Sequence, residues 1–352
     1  MGMGASLLMR SGALRMVDWL VNRVEPRRDA TGAPSFPFVR RRRARSLQIL
    51  AYHQVNDEHD AFFPATPVAV FARQMEHLAS RFTVLPLDVA VEAVRRDDLP
   101  DNAVAVTFDD GYKDNYLNAY PILSALKIPA TIFLATDAIG SGRVLWHDRV
   151  FGAFRDTAVQ RINGFGGSYS LGSRMEKLDA LTKVLVFLHS VSEEERLRGI
   201  ERLVERLEVA DRRVSSDLML SWAEVEAMRR DGIAFGAHTV SHPVLSTVDA
   251  ERARREIFGA KAAIEDKLGT TVTAFAYPGG KREHFDRRAR NLVEEAGYRY
   301  ALTTLFGVNE AGQDVFELRR GGPWEEEISV FAAKLRWYRF TLGGPVLAGR
   351  RA

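Results

Sequence analysis

A short, almost wholly apolar run of residues ends in two adjacent carboxylates. The run Ala103–Phe108 is rich in β-branched residues, which is typical of a strand covered on both faces. Asp109 and Asp110 follow it directly. Neighbouring carboxylates repel each other unless a cation or a shared proton relieves them. This pair therefore predicts a functional site at the end of the strand.

Strand-like and helix-like patterns alternate along most of the chain. Strands are predicted over residues 47–52, 103–108, 130–134, 233–237, 272–277 and 300–304. Helices are predicted over residues 67–81, 116–126, 221–231, 249–268, 285–296 and 328–342. This alternation favours an α/β fold, in which helices cover a parallel sheet.

Composition divides the chain into a leader, a main domain and a tail. Residues 1–46 are expected to form a basic leader and linker, because they carry several prolines and the arginine run Arg40–Arg43. Residues 47–322 are expected to form the main folded domain. Residues 323–352 are expected to form an amphipathic helix and tail.

One part of the main domain breaks the alternation. Residues 146–217 contain a glycine-rich stretch and then a helical block over 175–207, so we interpret this part as an insertion into the fold. The charged helical stretches of the insertion and of residues 251–267 are interpreted as solvated faces.

The composition excludes several classes of site. In a chain of 352 residues, 46% apolar residues allow a substantial core. The 49 basic and 46 acidic residues nearly cancel, which does not indicate a nucleic-acid-binding protein. The chain has no cysteine, so any metal must be bound by His, Asp or Glu.

Charged residues interrupt the apolar N-terminal residues, and neither a cleavable apolar segment nor a bilayer-spanning one is visible. We therefore expect a cytoplasmic protein, with peripheral association with the inner face of the membrane through the N- or C-terminal amphipathic segment. The alternative for the N-terminal residues is a solvated leader.

Two histidines supply the remaining ligands of a candidate metal site. His238 follows a short apolar strand, and His242 lies four residues further on. Parallel folds gather reactive groups at the carboxyl ends of their strands, so these imidazoles are expected near the carboxylate pair. Two histidines, one carboxylate and an open position form the ligand set of a catalytic divalent ion, with zinc preferred.

Three motifs in this order resemble those of the polysaccharide deacetylases, the NodB-homology carbohydrate esterases. They are Thr107–Gly111 (TFDDG), His238–His242 (HTVSH) and Phe275–Gly280 (FAYPGG). The resemblance implies a distorted (β/α)7-type barrel. It also implies metal-dependent removal of N-acetyl, occasionally O-acetyl, groups from a sugar, oligosaccharide or polysaccharide.

The resemblance also implies roles for individual residues. Asp109 is the base, and Asp110, His238 and His242 bind one divalent ion, Zn²⁺ or alternatively Co²⁺ or Mn²⁺. The backbone N–H of Gly279 is the expected donor to the oxyanion. The other residues assigned to the substrate pocket are Tyr112, Trp146, Tyr277 and Pro278. For Trp146, stacking on a sugar and packing in the core both remain open.

The sequence departs from the family pattern at two places. Relatives commonly carry an arginine that steadies the base where this chain has Ala276, and the usual late histidine acid is missing. His53 lies in a Tyr-His-x-Val segment like that of the poly-N-acetylglucosamine deacetylases, so we expect it to be the general acid. His147 and His284 are the alternatives.

Two further interpretations remain open. Asp114 and Asn115 are expected to cap the following helix and to brace the loop after the first motif. Because of the two departures, a glycan-binding protein that has lost turnover is an alternative function. A hydrolase that cleaves another amide or a glycosidic bond is a third hypothesis.

Overall fold

The computed structural model describes residues 45–210, 218–323 and 325–341. The predicted leader, except Arg45 and Ser46, lies outside the described residues. The last residues of the predicted tail lie outside them too.

The described residues form strands and helices in alternation. The nine strands are β1 (Gln48–Tyr52), β2 (Thr83–Val84), β3 (Ala103–Phe108), β4 (Ala130–Leu134), β5 (Arg161–Gly164), β6 (Gly167–Ser170), β7 (Ala234–Ala237), β8 (Ala274–Ala276) and β9 (Tyr300–Leu302). The ten α-helices are α1 (Val68–Arg81), α2 (Leu87–Arg96), α3 (Tyr120–Ala125), α4 (Trp146–Asp156), α5 (Arg174–Ser190), α6 (Glu193–Arg206), α7 (Trp222–Arg230), α8 (Ala250–Leu268), α9 (Arg287–Glu295) and α10 (Ile328–Thr341). A π-helical turn, Asn115–Ala119, precedes α3, and 3-10 turns lie at Leu245–Thr247 and Val315–Glu317.

Seven of these strands form one curled parallel sheet. Its order is β1-β3-β4-β7-β8-β9, with β2 beside β3, and every pairing is parallel. Every residue of β1, β3 and β4 is buried, as expected of strands covered on both faces. The predicted α/β barrel class is confirmed.

A segment near the end of the barrel joins its last strand to its first. Leu318 bridges to Leu302 of β9, and Gly321 bridges to Leu50 of β1, both in the parallel sense. The backbone N–H of Gly321 donates to the carbonyl of Ile49 at 2.8 Å. Residues 318–321 therefore close the sheet on itself, and we call them the closing segment.

The part interpreted as an insertion adds no strand to this sheet within the described residues. It begins with α4, continues with the β5–β6 hairpin and ends with α5 and α6. These elements bury a hydrophobic cluster of their own, which includes Val150, Phe154, Val184 and Leu203. The helical block predicted over 175–207 is therefore two helices. The glycine-rich stretch before it forms the turn of the hairpin.

Local sequence signals placed most elements within a few residues. The strand predictions over 103–108 and 130–134 match β3 and β4. The capping box that begins α7 is present, with Ser221 accepting a hydrogen bond from the backbone N–H of Glu224. The sequence analysis did not predict α2, α4 or β2. Among the residues that the structure describes, no helix combines the length and the apolar character that a membrane span requires.

Gly236 of β7 lies where two strands and a side chain crowd together. Alanine there would place its Cβ 2.5 Å from Phe133 Cε1 and 3.0 Å from the carbonyl oxygen of Ala274. We expect Gly236→Ala to lower the free energy of unfolding by about 1–3 kcal/mol through overpacking. Urea unfolding followed by circular dichroism measures the change.

Gly152→Ala is the matched control for this prediction. Gly152 is helical, and a Cβ added there meets no atom of the described residues within 4 Å. Alanine should therefore raise the stability of α4 by up to about 1 kcal/mol. Equal unfolding free energies for the two variants would contradict the close approach at Gly236.

Candidate metal centre and active site

The candidate site lies at the carboxyl ends of the parallel strands. Asp109 and Asp110 follow β3, His238 follows β7, and His53 follows β1. Because all these strands run in the same direction, their carboxyl ends meet at one edge of the sheet. Residues that are far apart in the sequence therefore come together there.

Three of the predicted ligands form a buried cluster. Asp110 Oδ1 lies 3.5 Å from His238 Nε2 and 3.3 Å from His242 Nε2. The ligand atoms of the three residues all lie within 4.8 Å of one another. All three side chains are buried. This arrangement can hold one divalent ion between two nitrogens and one oxygen.

Two of these ligands have a backbone conformation that L-residues rarely adopt. Asp110 has a φ of 75° and His242 a φ of 59°, and Thr239 between the two histidines has a φ of 67°. Such conformations cost roughly 1–3 kcal/mol each and persist only where the surroundings hold them. The loop that carries the histidines must therefore be firmly anchored.

Buried hydrogen bonds supply that anchoring. Glu256 of α8 accepts hydrogen bonds at 2.8 Å from the backbone N–H groups of both Val240 and Ser241. The indole Nε1 of Trp146 donates to the carbonyl of His242 at 3.0 Å. Glu256 is only 2% exposed, so the interpretation of the whole 251–267 stretch as a solvated face is wrong at this residue. Its carboxylate is directed inward because the loop offers two N–H donors there.

The protonation of the histidines suits metal binding. His238 Nδ1 lies 2.8 Å from the carbonyl of Ala276, so this nitrogen carries the proton and Nε2 keeps its lone pair. Burial lowers the pKa of His238 to about 4, and it lowers the pKa of His242 well below the ordinary value. Both imidazoles are therefore neutral at pH 7, as metal ligands must be.

The carboxylate of Asp110 lacks a compensating partner. Among the described residues, its buried Oδ1 atom has no hydrogen-bond donor. Burial raises the pKa of Asp110 well above its ordinary value, and the carboxylate of Asp109 raises it further. A buried, unpaired oxygen beside two imidazole lone pairs is the environment that a divalent cation relieves. The residues present therefore fit a bound metal ion.

Asp109 has a different environment, because Arg320 binds it through two hydrogen bonds. Arg320 Nη1 donates to Oδ1 at 2.7 Å and Nη2 donates to Oδ2 at 2.6 Å, and both side chains are buried. Burial alone would raise the pKa of Asp109. The charge and hydrogen bonds of Arg320 outweigh that effect and hold the pKa well below the ordinary value. Asp109 is thus ionised at neutral pH.

Arg320 compensates for the first departure from the family pattern, the lack of an arginine at position 276. Sequence analysis treated Ala276 as the loss of the arginine that steadies the base. The structure supplies a guanidinium from the closing segment instead, where Arg320 Nε also donates to the carbonyl of Thr303 at 2.8 Å. Ala276 in turn contributes its carbonyl to His238.

His53 lies beside Asp109 rather than across the site from it. Strands β1 and β3 are neighbours, and Tyr52 pairs with Phe108, so the next residue of each strand lies at the same level. His53 Nε2 is 4.0 Å from Asp109 Oδ2. Its side chain is 38% exposed, yet desolvation within the cavity lowers its pKa, and Asp109 only partly opposes this shift.

The side chains of Asp114 and Asn115 brace the segment after β1 that carries His53, whereas the sequence predicted that they brace their own loop. Asn115 Nδ2 donates to the carbonyl of His53 at 2.7 Å. Asp114 Oδ2 accepts hydrogen bonds from the backbone N–H of Val55 and from Asn56 Nδ2. The expected helix cap is not formed, because the side chain of Asp114 makes no capping hydrogen bond.

A second set of polar side chains, Tyr112 with His147 and Asp148 of α4, lies beside the site. Tyr112 Oη donates to Asp148 Oδ1 at 2.9 Å and lies 3.1 Å from His147 Nε2. Burial raises the pKa of Asp148 to about 7 and lowers the pKa of His147 to about 3. The His147 ring lies 5.0 Å from the His242 ring.

These groups surround a cavity of about 350 Å³. His53, Tyr112, His147 and Gly279 line it together with the base and the three ligands. The other walls are mostly apolar and include Phe63, Pro64, Val70 and Phe151.

Three of the predicted pocket residues lie behind this cavity instead of lining it. Trp146 is 7% exposed and packs in the core of the insertion, so the core interpretation of this residue applies. Tyr277 is buried against Phe285, and its hydroxyl donates to the carbonyl of Phe316. Pro278 is also buried and does not line the cavity.

Gly279 occupies a position that only glycine fits. Its φ is 65°, and an added Cβ would lie 2.3 Å from His284 Nδ1. The imidazole of His284 therefore fills the space that a larger residue at this position would occupy. His284 itself stacks on His189 at 4.9 Å and does not line the first cavity.

The sequence analysis missed Arg320 and Glu256. Each lies in a stretch whose local pattern is unremarkable, and each acts through a contact with a distant part of the chain. The Arg320–Asp109 pair spans 211 positions. For Arg320, the only local signal would have been its charge, which is unexpected in a segment that closes an apolar barrel.

Comparisons with known proteins identify the family of this chain. The family model of the polysaccharide deacetylases matches residues 96–301, which is more than half of the chain. The Bacillus subtilis (strain 168) protein YxkH, named for the same family, is 20% identical over 297 residues. The alignment covers 84% of this chain and 77% of YxkH.

Two solved structures illustrate the shared fold. The Streptococcus pyogenes deacetylase PplD, solved in complex with acetate, has a TM-score of 0.55 and 18% identity, covering 79% of this chain and 92% of PplD. IcaB from Ammonifex degensii has a TM-score of 0.54 and 18% identity, covering 84% of this chain and 98% of IcaB. At this identity the likeness establishes the fold.

Removal of Arg320 should leave an uncompensated buried carboxylate. We expect Arg320→Met to lower the free energy of unfolding by about 3–5 kcal/mol. Arg320→Lys, which keeps the charge but not the paired donors, should lose less. Urea unfolding at neutral pH measures both. If the two variants were equally stable, the charge of Arg320 would not be what compensates Asp109.

Proposed function

Because the chain belongs to the polysaccharide deacetylase family, whose activity is the deacetylation of sugars, we propose that it is a metal-dependent N-deacetylase of an acetylated carbohydrate. One observation carries the proposal. The neutral His238–His242 pair and the unpaired Asp110 oxygen lie next to an ionised Asp109 at the wall of one cavity. Such a set combines a cation site with a base, which is the combination used in metal-assisted amide hydrolysis.

The ligand set favours zinc, with cobalt or manganese as alternatives. Two imidazole nitrogens, one carboxylate oxygen and an open position are typical of catalytic zinc. A bound divalent ion supplies Lewis-acid polarisation of the amide carbonyl and acidifies the attacking water. Asp110, His238 and His242 are the residues that would hold it.

Asp109 is proposed to accept the proton of the attacking water. Arg320 keeps its carboxylate ionised and fixes its orientation through two hydrogen bonds. A base that is already ionised and positioned needs no rearrangement before proton transfer. The backbone N–H of Gly279, in the left-handed conformation at the cavity wall, is the proposed donor to the carbonyl oxygen.

His53 is proposed to donate a proton to the leaving amine. It lines the cavity, and its Nε2 atom is 4.0 Å from the base. Because burial lowers the pKa of His53, its ring is neutral before the reaction. The proton that Asp109 accepts from the water would pass to His53 Nε2, which would then donate it to the amine nitrogen as the C–N bond breaks. His147 is the alternative acid, because it lines the same cavity and Tyr112 and Asp148 hold it in place.

The bidentate support of Asp109 also favours an enzyme over a glycan-binding protein without turnover. That alternative rested partly on Ala276, and Arg320 now provides the missing guanidinium. The cytoplasmic location and the peripheral membrane association stay predictions.

Two variants should separate metal binding from proton transfer. Asp109→Asn keeps the ligands but removes the base, so acetate release should fall roughly 10²–10⁴-fold while the zinc content is retained. His238→Ala should lose both the metal and the activity. Acetate assays and elemental analysis measure the two properties, and Asp98→Asn, an exposed site, is the control. Normal activity in Asp109→Asn would exclude it as the base.

Removal of the metal should abolish turnover reversibly. Dialysis against a chelator should stop acetate release from N-acetylated sugars, and Zn²⁺, Co²⁺ or Mn²⁺ should restore it. Circular dichroism before and after dialysis shows whether the fold survives. Full activity in a sample shown to be metal-free would refute the metal-dependent scheme.

The identity of the acid can be tested by two single substitutions. We expect His53→Ala to lower kcat by roughly 10²–10⁴-fold and His147→Ala to lower it much less. Thermal unfolding checks that both variants fold. The reverse order of effects would assign the acid role to His147.

A further inference from the structure

A second cavity lies directly beside the first and is larger. Its volume is about 730 Å³, compared with about 350 Å³ for the cavity at the candidate metal site. Pro64, Phe151 and Gly279 line both cavities, so the two share a wall. A substrate bound at the metal site would reach the second cavity by extending over Pro64 and Phe151.

One side of the second cavity is hydrocarbon. Helix α5 contributes Leu178, Leu181, Leu185 and Val186, and Phe62 adds to the same lining. The side chain of Val186 is 55% exposed. Sugar rings are normally bound by hydrogen-bonding groups and by flat aromatic faces, and a row of aliphatic side chains offers neither. An alkyl chain, by contrast, is stabilised by every methylene that it buries there.

The polar lining of the second cavity comes both from α5, which contributes Thr182, His189 and Ser190, and from other elements. Ser246, Thr247 and Lys281 belong to the loops that follow β7 and β8. The cavity is thus amphipathic, because a row of aliphatic side chains lies beside polar groups from both the insertion and the barrel. An amphipathic ligand matches such a lining.

The direct route from the reacting amide to the second cavity is obstructed. None of the three metal ligands lines the second cavity. Gly279, the proposed oxyanion donor, contacts His284 so closely that its missing Cβ would lie 2.3 Å from the ring. His284 lines the second cavity and not the first, so an acyl chain that left the amide past Gly279 would meet this imidazole. A chain attached to another part of the sugar can instead pass over Phe151 and Pro64.

We propose that the second cavity binds a hydrocarbon chain that the sugar substrate carries at a position remote from the amide, so that the substrate is a lipid-linked acetylated sugar. This inference rests on the proposed deacetylase function and specifies its substrate class. The insertion then serves as the lipid-binding part of the enzyme, and the barrel carries out the hydrolysis.

Alkyl glycosides of N-acetylglucosamine test the inference. Methyl, butyl, hexyl and octyl glycosides, each below its micelle concentration, should show KM values that fall with chain length. Each fully buried methylene raises the affinity roughly fourfold. The KM for the octyl glycoside should therefore be at least about tenfold lower than the KM for the methyl glycoside, even if most of the chain is only partly buried. Acetate release should leave the alkyl chain on the product.

A matched pair of variants locates the effect. Val186→Glu places a charge in the second cavity, whereas Met175→Glu places one on the same helix, at the same 55% exposure, outside it. Val186→Glu should remove the preference for octyl while keeping the KM for the methyl glycoside. Met175→Glu should change neither value. An equal loss in both variants would overturn the proposal.

The outcomes also separate this inference from the proposed function. Acetate release with the same KM for methyl and octyl glycosides would leave the deacetylase intact and overturn the lipid site. Preferred cleavage of an N-octanoyl glucosamine would place the chain on the amide and overturn the proposed attachment. If no glycoside is hydrolysed, the proposed function fails. Calorimetric binding of octyl against methyl glycoside to the two variants then still decides the lipid site.

Discussion

The ion pair between Arg320 and Asp109 sets the electrostatic character of the whole site. A carboxylate buried this deeply would become protonated, and hence useless as a base, unless a positive charge held it ionised. Two short, parallel hydrogen bonds provide that charge and leave no rotational freedom. The guanidinium also binds the carbonyl of Thr303 and so connects the end of β9 to the end of β3. The pair thereby fixes the charge state and the position of one catalytic group at the same time.

Asp109 and Asp110 show how neighbours in sequence acquire opposite properties. Both carboxylates are buried, yet the pKa of one is lowered and that of the other is raised. The cause is the direction in which each side chain points. Asp109 faces a guanidinium, whereas Asp110 faces two neutral imidazoles and its own neighbour. Ionised Asp110 would therefore have no positive group beside it among the described residues, and a divalent ion would supply one.

Sequence reasoning succeeded where the determining signal is local. The apolar run of β3, the capping box at Ser221 and the pair His238–His242 are each readable within a few residues. The parallel topology then brings these ends together without further information. The same reasoning failed for groups whose role depends on a partner far away in the chain. In the sequence, Arg320 and Glu256 are ordinary charged residues. Only the fold places the carboxylate of Asp109 beside Arg320 and two backbone N–H groups beside Glu256.

It was harder to predict where a residue lies within the site than whether it belongs to the site. The pairing of Tyr52 with Phe108 puts His53 next to the base, but strand order in a barrel cannot be read from one sequence. Trp146 is a second residue whose position within the site could not be predicted from the sequence. Its aromatic ring suggested a sugar platform, yet its indole N–H holds the histidine loop from behind. Packing decides whether such a residue lines the cavity or lies behind it.

The closing segment has a consequence for how this molecule assembles. The base at position 109 and its partner at position 320 are separated by 211 positions, and the sheet is closed only when residues 318–321 have joined β1 to β9. Contacts of such long range carry a large loop-closure entropy and slow folding. During synthesis most of the barrel therefore emerges before Arg320, which must accompany the base into the core, is available. Catalytic competence is one of the last properties that the growing chain gains.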